Sequence, residues 1–206
     1  MAALRTVLAS LVLACSAQAC CGNVLFSSLQ RTLIVSASPQ PGQVVKAGED
    51  KITVTWRFNQ SFAAGTDSAY KTASVKLCYA PISQVDRSWR KTVDNLAKDK
   101  TCQYAIAAKA YSPSNQSAEW LVQKDVPEAT YFVRAYALDA AGVQVGFGQT
   151  TDKNKTTDLF VVQAITGRHP SLDIASVCFS AFSVVSLIGF FIVEKRKANK
   201  AGSAPN

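Results

Sequence analysis

Residues 126–142 read VPEATYFVRAYALDAAG, and they carry the clearest structural signal in the chain. Alternate residues of this stretch are apolar and share one face of an extended strand: Tyr131, Val133, Ala135 and Ala137. Pro127 marks a turn before the strand, and Gly142 marks a hairpin whose return begins at Val143. The stretch therefore predicts a half-buried β-strand that continues into an antiparallel neighbour.

Further segments on either side repeat the two-residue period of a strand. The most regular runs from Lys51 to Phe58 and has four large apolar residues on one face: Ile52, Val54, Trp56 and Phe58. Val75, Leu77 and Tyr79 alternate in the same way, which places Cys78 on the face away from the core. Shorter apolar runs predict strands at residues 32–35, 104–108, 120–122 and 159–164.

These short strands predict an all-β sandwich of the immunoglobulin or fibronectin type III kind. In that fold a tyrosine of the sixth strand, here Tyr131, bonds back to the backbone at a corner of the sandwich. The core disulfide of antibody domains cannot form in this chain, because neither the strand of Trp56 nor the strand of Tyr131 carries a cysteine.

Apolar segments flank this domain at both ends of the chain. Residues 1–19 combine Arg5, an apolar run and the small-x-small site Ala17-Gln18-Ala19, a pattern typical of a cleaved secretory signal; a short buried helix is the alternative. Residues 174–193 contain no charged side chain and would form about 30 Å of helix, enough to cross a bilayer core. We therefore predict an extracellular domain at residues 20–173, a transmembrane helix at 174–193 and a tail at 194–206.

Charge sets the predicted orientation of that helix and argues against nucleic acid as a partner. Only 17% of the 206 residues are charged, and the formal net charge is +8. Part of the excess lies in the run Glu194-Lys195-Arg196-Lys197 rather than on one face of the folded domain. Positive residues beside a span remain in the cytoplasm. The domain is therefore predicted outside the cell, and no nucleic-acid partner is expected.

Two of the six cysteines, Cys78 and Cys102, fall within the predicted folded domain. In an oxidising compartment they are expected to form a disulfide bond. The closed loop of about 25 residues contributes roughly 3 to 4 kcal/mol by chain-entropy reasoning. The other four cysteines lie in the signal (Cys15), beside its cleavage site (Cys20 and Cys21) and in the span (Cys178). If Cys20 and Cys21 remain on the mature chain, other pairings stay open.

Three N-x-S/T triplets begin at Asn59, Asn115 and Asn154. Such a triplet accepts an N-linked glycan when a chain passes through the secretory pathway. A single triplet is ordinary by chance, but three between the predicted signal and the predicted span support this route. All three asparagines are predicted glycosylation sites.

Charged residues crowd into the segment from Asp86 to Lys100, where they make up eight of 15 positions. Three apolar residues recur there at helical spacing: Trp89, Val93 and Leu96. The pattern predicts a short amphipathic helix that begins near Ser88 and keeps its charges outward. A solvated helix covering the sandwich edge is the simpler interpretation. The functional alternative is a docking surface with Trp89 or Arg90 as anchor, since these residue types are enriched at binding hot spots.

Four motifs cluster around the two cysteines: VKLCYAP at 75–81, SQVDR at 83–87, WRKT at 89–92 and KDKTC at 98–102. They resemble the plant high-affinity nitrate transporter-activating proteins. The resemblance covers roughly residues 51–197 and is poor at 23–45 and 61–72. It implies an accessory subunit that binds a many-helix nitrate/proton symporter in the plasma membrane of root cells. That transporter would need the accessory protein to reach the surface or become active.

A hetero-oligomer with the high-affinity nitrate transporter is therefore expected. A solitary helix without charge cannot line a path for an anion, so transport belongs to the partner. We expect the primary contact on the segment from Asp86 to Lys100, with five candidates: Arg87, Trp89, Arg90, Asp99 and Lys100. Charge reversal at Arg90 or Asp99 is expected to weaken binding and to leave folding intact.

Three serines of the span offer a second contact to the transporter. Ser176, Ser180 and Ser183 fall on one helical face, where small hydroxylated residues allow close approach and hydrogen bonding between helices. In the alternative, the serines only dilute an apolar anchor, because each hydroxyl can bond to its own backbone.

An enzyme is the competing class of function, and the sequence gives it little support. His169 is the only histidine, and no nucleophile can be placed beside it. We therefore predict no catalytic residue, cofactor or metal site. A single-pass cell-surface recognition receptor is the stronger alternative, because the same sandwich also serves ligand binding. Induction by nitrate together with a nitrate carrier would distinguish an accessory subunit from such a receptor.

Overall fold

The computed structural model describes residues 24–167 and 170–201. The predicted signal at 1–19, Cys20, Cys21 and His169 lie outside these residues. Within them, nine strands precede one long helix: β1 Leu33–Ala37, β2 Val44–Lys46, β3 Lys51–Phe58, β4 Thr72–Tyr79, β5 Tyr104–Ala110, β6 Gln116–Leu121, β7 Ala129–Leu138, β8 Gln144–Gln149, β9 Phe160–Gln163 and α1 Pro170–Ala201. Each predicted strand coincides with one of these nine strands or overlaps it.

The strands form two sheets that face each other across one apolar core. The smaller sheet has the order β1-β3-β6, and the larger has the order β2-β9-β7-β4-β5 with β8 also paired to β7. All pairs are antiparallel except β2 with β9. The predicted inward residues of β3 and β7 are buried in this core together with Leu33, Val75 and Leu77. The all-β sandwich predicted from the alternation is confirmed.

The predicted corner tyrosine makes its hydrogen bond. The Tyr131 hydroxyl donates to the backbone oxygen of Pro127 at 2.8 Å. Its ring stacks on that of Tyr79, with ring centroids 5.0 Å apart. Burial raises the pKa of Tyr131 far above its ordinary value, so the phenol stays neutral and keeps its proton for this bond.

Strand β7 is buried on both faces, which its alternation does not reveal. Tyr131 and Val133 face the core between the sheets, whereas Phe132 packs on the outer face with Cys78 and Ala80. Cys78 thus points away from the main core as predicted, yet it is fully buried. Other parts of the chain must therefore cover the outer face of the larger sheet.

Helix α1 belongs to a second compact unit, and the nine strands belong to the first. Pro170–Ala198 contains an 18-residue stretch with a mean hydropathy of 2.3, and the helix is long and apolar enough to cross a membrane. The predicted span at 174–193 lies within this helix. The Ser176 hydroxyl donates to the backbone oxygen of Asp173 at 2.9 Å, which is the self-satisfied geometry of a serine in an anchor.

Candidate functional site

The predicted disulfide joins the end of β4 to the residues just before β5. The Cα atoms of Cys78 and Cys102 lie 4.0 Å apart, and their sulfurs are bonded. Cys78 packs with Phe132 on the outer face of the larger sheet. The bridge therefore closes a loop, residues 79–101, which we call the bridged segment and which begins and ends on a rigid strand pair.

The amphipathic helix predicted within the bridged segment is wrong in extent. Only two turns of 3-10 helix form, Pro81–Ser83 and Ser88–Arg90, and the backbone becomes extended at Lys91. Asp86 between the two turns adopts a left-handed conformation with φ of 57°. The segment is thus a folded loop that contains two short turns.

Side-chain hydrogen bonds replace the helical ones that the backbone would otherwise make. The Gln84 carboxamide donates to the Tyr79 oxygen at 2.9 Å and accepts from both the backbone N–H and the hydroxyl of Thr92. Gln103, just beyond the bridge, donates to the backbone oxygens of Trp89 and Lys100 at 2.7 and 2.8 Å. These bonds tie the two ends of the segment together and fix its backbone.

Residues 24–28, which we call the N-terminal strap, also hold the bridged segment in place. The Phe26 N–H donates to the Asp94 oxygen at 2.7 Å, and the backbone N–H and hydroxyl of Ser27 donate to the two carboxylate oxygens of Asp94 at 2.8 Å. The Leu96 N–H donates in turn to Val24. This contact was not predicted, because nothing in residues 24–28 indicates a partner so far along the chain.

Arg90, a predicted docking anchor, does not point outward. Its side chain is buried, with only 7% of the residue exposed, and its guanidinium carbon lies 4.3 Å from the centroid of the Tyr79 ring. Its Nη1 donates to the Ser83 oxygen at 3.3 Å. The prediction of an outward Arg90 is therefore wrong. Stacking on the Tyr79 ring offsets part of the cost of burying this cation, whose Nε has no hydrogen-bond partner among the described residues, and it holds the segment against the sheet.

Asp99 has a structural role as well. One of its carboxylate oxygens accepts hydrogen bonds from the Val93 N–H and from both the N–H and the hydroxyl of Thr101. Charge reversal at Arg90 or Asp99 would break these contacts. The expectation that such changes leave folding intact does not fit the structure.

Large apolar side chains stand exposed on the same rigid segment. Ile82 is 70% exposed, Val85 60% and Trp89 57%. We call these three residues the exposed apolar set. The predicted contacts Arg87 and Lys100 are also exposed. Ile82 and Val85 were not predicted as contact residues. A signal existed, because both are apolar residues that follow Pro81 and lie outside any strand alternation.

An open groove runs along this surface. Its volume is about 600 Å³, and its lining includes Pro81, Val85, Arg87 and Lys91. Among the described residues, no group of three or more His, Cys, Asp or Glu side chains could hold a metal ion. The surface therefore offers apolar contact bordered by two cations, Arg87 and Lys91, and by the carboxylate of Asp86, an arrangement suited to binding a protein.

Comparison with known proteins identifies the family. Residues 26–167 match the family described as "NAR2: High-affinity nitrate transporter accessory, Ig-like domain". Two Arabidopsis thaliana proteins named high-affinity nitrate transporter 3.1 and 3.2 are 54% and 53% identical to this chain, each over 84% of both sequences. The high-affinity nitrate transporter-activating protein 2.1 of Oryza sativa subsp. japonica is 47% identical over 86% of this chain and 84% of its own. This chain therefore belongs to the NAR2 family of high-affinity nitrate transporter accessory proteins.

Proposed function

We propose that this protein is a single-pass accessory subunit of a high-affinity nitrate transporter, and that it binds the transporter chiefly through the exposed apolar set of its bridged segment. The family match and the relatives' names support the accessory role. We infer the docking surface from the exposure of Trp89, Ile82 and Val85, which lie on a backbone fixed by a disulfide and side-chain hydrogen bonds.

The nitrate path belongs to the partner in this proposal. The part of the chain that the structure describes contains one helix able to cross a membrane. Its residues 174–193 carry no charge. Moving an anion through a bilayer needs polar groups that face a cavity enclosed by protein, and one apolar helix cannot enclose one. A β-sandwich domain with one apolar helix fits a non-catalytic role in which the protein supports another membrane protein.

The proposed topology places the sandwich outside the cell and the tail in the cytoplasm, with the whole protein in the plasma membrane. Lys195, Arg196 and Lys197 follow the apolar stretch of α1 and favour the cytoplasmic side. The disulfide between Cys78 and Cys102 supports an oxidising environment for the domain. Both features favour the outer side of the membrane for the sandwich.

Rigidity makes the exposed apolar set a good binding surface. A flexible loop would lose conformational entropy on binding, whereas the bridged segment is already ordered by its own contacts. Burying Trp89 together with Ile82 and Val85 removes a large apolar area from water. Arg87, Lys91 and Lys100 around them would attract carboxylates of the transporter and set the orientation of the complex.

Trp89→Ala is expected to weaken the complex with the nitrate transporter by about 30-fold, equivalent to about 2 kcal/mol for the loss of a central aromatic anchor. Folding should be unaffected, because more than half of Trp89 is exposed. The measurement is co-precipitation of the full-length chain with the high-affinity nitrate transporter in mild detergent, with nitrate uptake by cells that express both proteins.

Leu121→Ala is the matched control, since Leu121 is an exposed apolar residue of β6 in the other sheet. It should leave binding and uptake unchanged. Replacing Ile82, Val85 and Trp89 together by serine should abolish co-precipitation. If this triple variant folds and still captures the transporter as well as the unchanged protein, the docking surface lies elsewhere.

The serines of the span remain a secondary contact in the proposal. Ser176 already bonds within its own helix. Ser180 and Ser183 lie on the same helical face and leave room for a transporter helix to approach closely.

Glycans are expected on Asn115 and Asn154, because both side chains are exposed in loops or at a strand edge. Asn59 is half-buried, and its carboxamide oxygen accepts a hydrogen bond from the Ser61 N–H, so it should be occupied less. Glycosidase digestion of the protein from plant membranes should increase its gel mobility by two steps. Unchanged mobility would contradict the glycans.

A further inference from the structure

A second cavity lies away from the groove of the bridged segment, between the N-terminal strap and the loop after β8. Its volume is about 430 Å³. Apolar and cationic residues share its lining: Phe26, Leu29 and Phe147 on the one hand, Arg31, Lys153 and Lys155 on the other. A cavity of this size matches a small molecule, and its lining matches one that is both apolar and negatively charged.

A buried cation, Arg134, lies next to this cavity. Arg134 is 1% exposed, and its guanidinium carbon lies 4.2 Å from the Phe26 ring centroid and 6.0 Å from that of Phe147. Its nitrogens donate to the Gln149 side-chain oxygen and to the Tyr136 hydroxyl, both at 3.0 Å. These acceptors are neutral, so the positive charge of Arg134 is not cancelled by its contacts.

The cations of the cavity also lack negative partners. Among the described residues, no carboxylate forms an ion pair with Arg31, Lys153 or Lys155. Burial lowers the pKa of Lys155 and the charge of Arg134 lowers it further, whereas the charge of Asp99 raises it by less. A bound anion would relieve this unfavourable accumulation of positive charge.

Arg31 is already oriented for such a ligand. Its Nη2 donates to the backbone oxygens of Gln149 and Thr151 at 2.8 and 3.0 Å. The remaining donors, Nη1 and Nε, lie on the side chain that lines the cavity. A guanidinium held in place in this way can donate a charge-assisted hydrogen bond from Nη1 or Nε to a carboxylate with little loss of side-chain entropy.

We propose that this cavity binds a small organic anion, in which a carboxylate or similar group meets Arg31 and Lys155 while an aromatic or aliphatic body packs on Phe26 and Phe147. The proposal rests on the cavity and its charges and is independent of the docking surface. Nothing in it requires the transporter, so it can be tested on the isolated full-length protein.

The test measures binding of three probes to the full-length protein in lipid nanodiscs by ligand-observed NMR, with empty nanodiscs as background. Benzoate carries both required features, benzamide lacks the charge, and nitrate lacks the apolar body. Benzoate is expected to bind about tenfold more tightly than benzamide, since one charge-assisted contact is worth about that factor. It is also expected to bind about tenfold more tightly than nitrate, which has no apolar body to bury against the aromatic rings.

Lys155→Gln and Lys153→Gln are each expected to weaken benzoate binding about five- to tenfold. Lys51→Gln is the control, because Lys51 is an exposed lysine of β3 in the other sheet. Since Lys153 is exposed, the Lys153→Gln variant should fold normally. It can therefore still test the proposal if the half-buried Lys155 proves necessary for folding.

Three outcomes would overturn the proposal. Equal binding of benzoate and benzamide would remove the role of charge, and equal binding of benzoate and nitrate would remove the role of the apolar wall. Unchanged benzoate affinity in a folded Lys153→Gln, Lys155→Gln double variant would show that the anion binds elsewhere. None of these results would affect the docking of the transporter, because no transporter is present.

Discussion

Replacing both Cys78 and Cys102 by alanine should lower the free energy of unfolding by about 3 to 4 kcal/mol, because the bridge closes a loop of about 25 residues in the unfolded chain. The loss of two sulfurs adds to this effect, since Cys78 is fully buried against Phe132. Chemical denaturation of the full-length protein measures the change. Hydrogen exchange should show that the bridged segment opens more readily than the strands.

The same change should also impair docking, because the exposed apolar set depends on a fixed backbone. Without the bridge, the segment is held by the hydrogen bonds of Gln84, Gln103, Asp94 and Asp99 and by Arg90 on Tyr79, and each hydrogen bond contributes about 1 kcal/mol. Co-precipitation of the transporter should therefore decrease severalfold in variants that remain folded. Cys178→Ala is the matched control, since Cys178 is a free, exposed cysteine of α1. A double cysteine variant as stable as the unchanged protein would contradict the account.

The sandwich could be predicted because its signals are local. The alternation from Lys51 to Phe58 gives the bounds of β3 without error, and Tyr131 follows its turn at the spacing that the corner hydrogen bond needs. Both patterns arise from neighbouring residues on one strand, whose side chains must alternate between core and solvent. No knowledge of distant parts of the chain is required.

The bridged segment could not be predicted because its structure depends on distant partners. Ser27 bonds to Asp94 across 67 residues, a contact with no trace in the local pattern. Helical spacing of Trp89, Val93 and Leu96 was genuine, but Gln84 and Asp99 bind the backbone N–H groups of Thr92 and Val93 that a helix would have used. Polar side chains that compete for the backbone favour turns over helices.

The burial of Arg90 was the other error, and Arg134, for which the sequence analysis makes no prediction, is buried for the same reason. Charged residues are normally placed on the surface, yet Arg90 stacks on Tyr79 and Arg134 lies among several aromatic rings. Aromatic faces and neutral oxygens replace much of the water that each cation loses. For Arg134 a signal existed, since Phe132 and Tyr136 flank it on the same face of β7. A strand face with two aromatic residues is too apolar to be exposed to solvent.

Gly148→Ala is expected to destabilise the sandwich by about 3 kcal/mol, because the strands β1 and β8 meet there without room for a side chain. A methyl group on Gly148 would lie 2.7 Å from both the carbonyl carbon and the Cβ of Leu33, and closer still to the Leu33 oxygen. These are mostly backbone atoms of a strand already paired to β3, so they cannot move aside without disturbing the smaller sheet.

Thermal unfolding measures the effect, and a loss of 3 kcal/mol in a domain of this size corresponds to a fall in Tm of about 10 °C. Gly167→Ala is the control, since a Cβ at Gly167 meets nothing within 4 Å. It should leave Tm unchanged. If Gly148→Ala were equally harmless, β1 and β8 would have to lie further apart than the structure places them. Because Leu33 packs in the core between the sheets, such a gap would also change how the core closes along that edge.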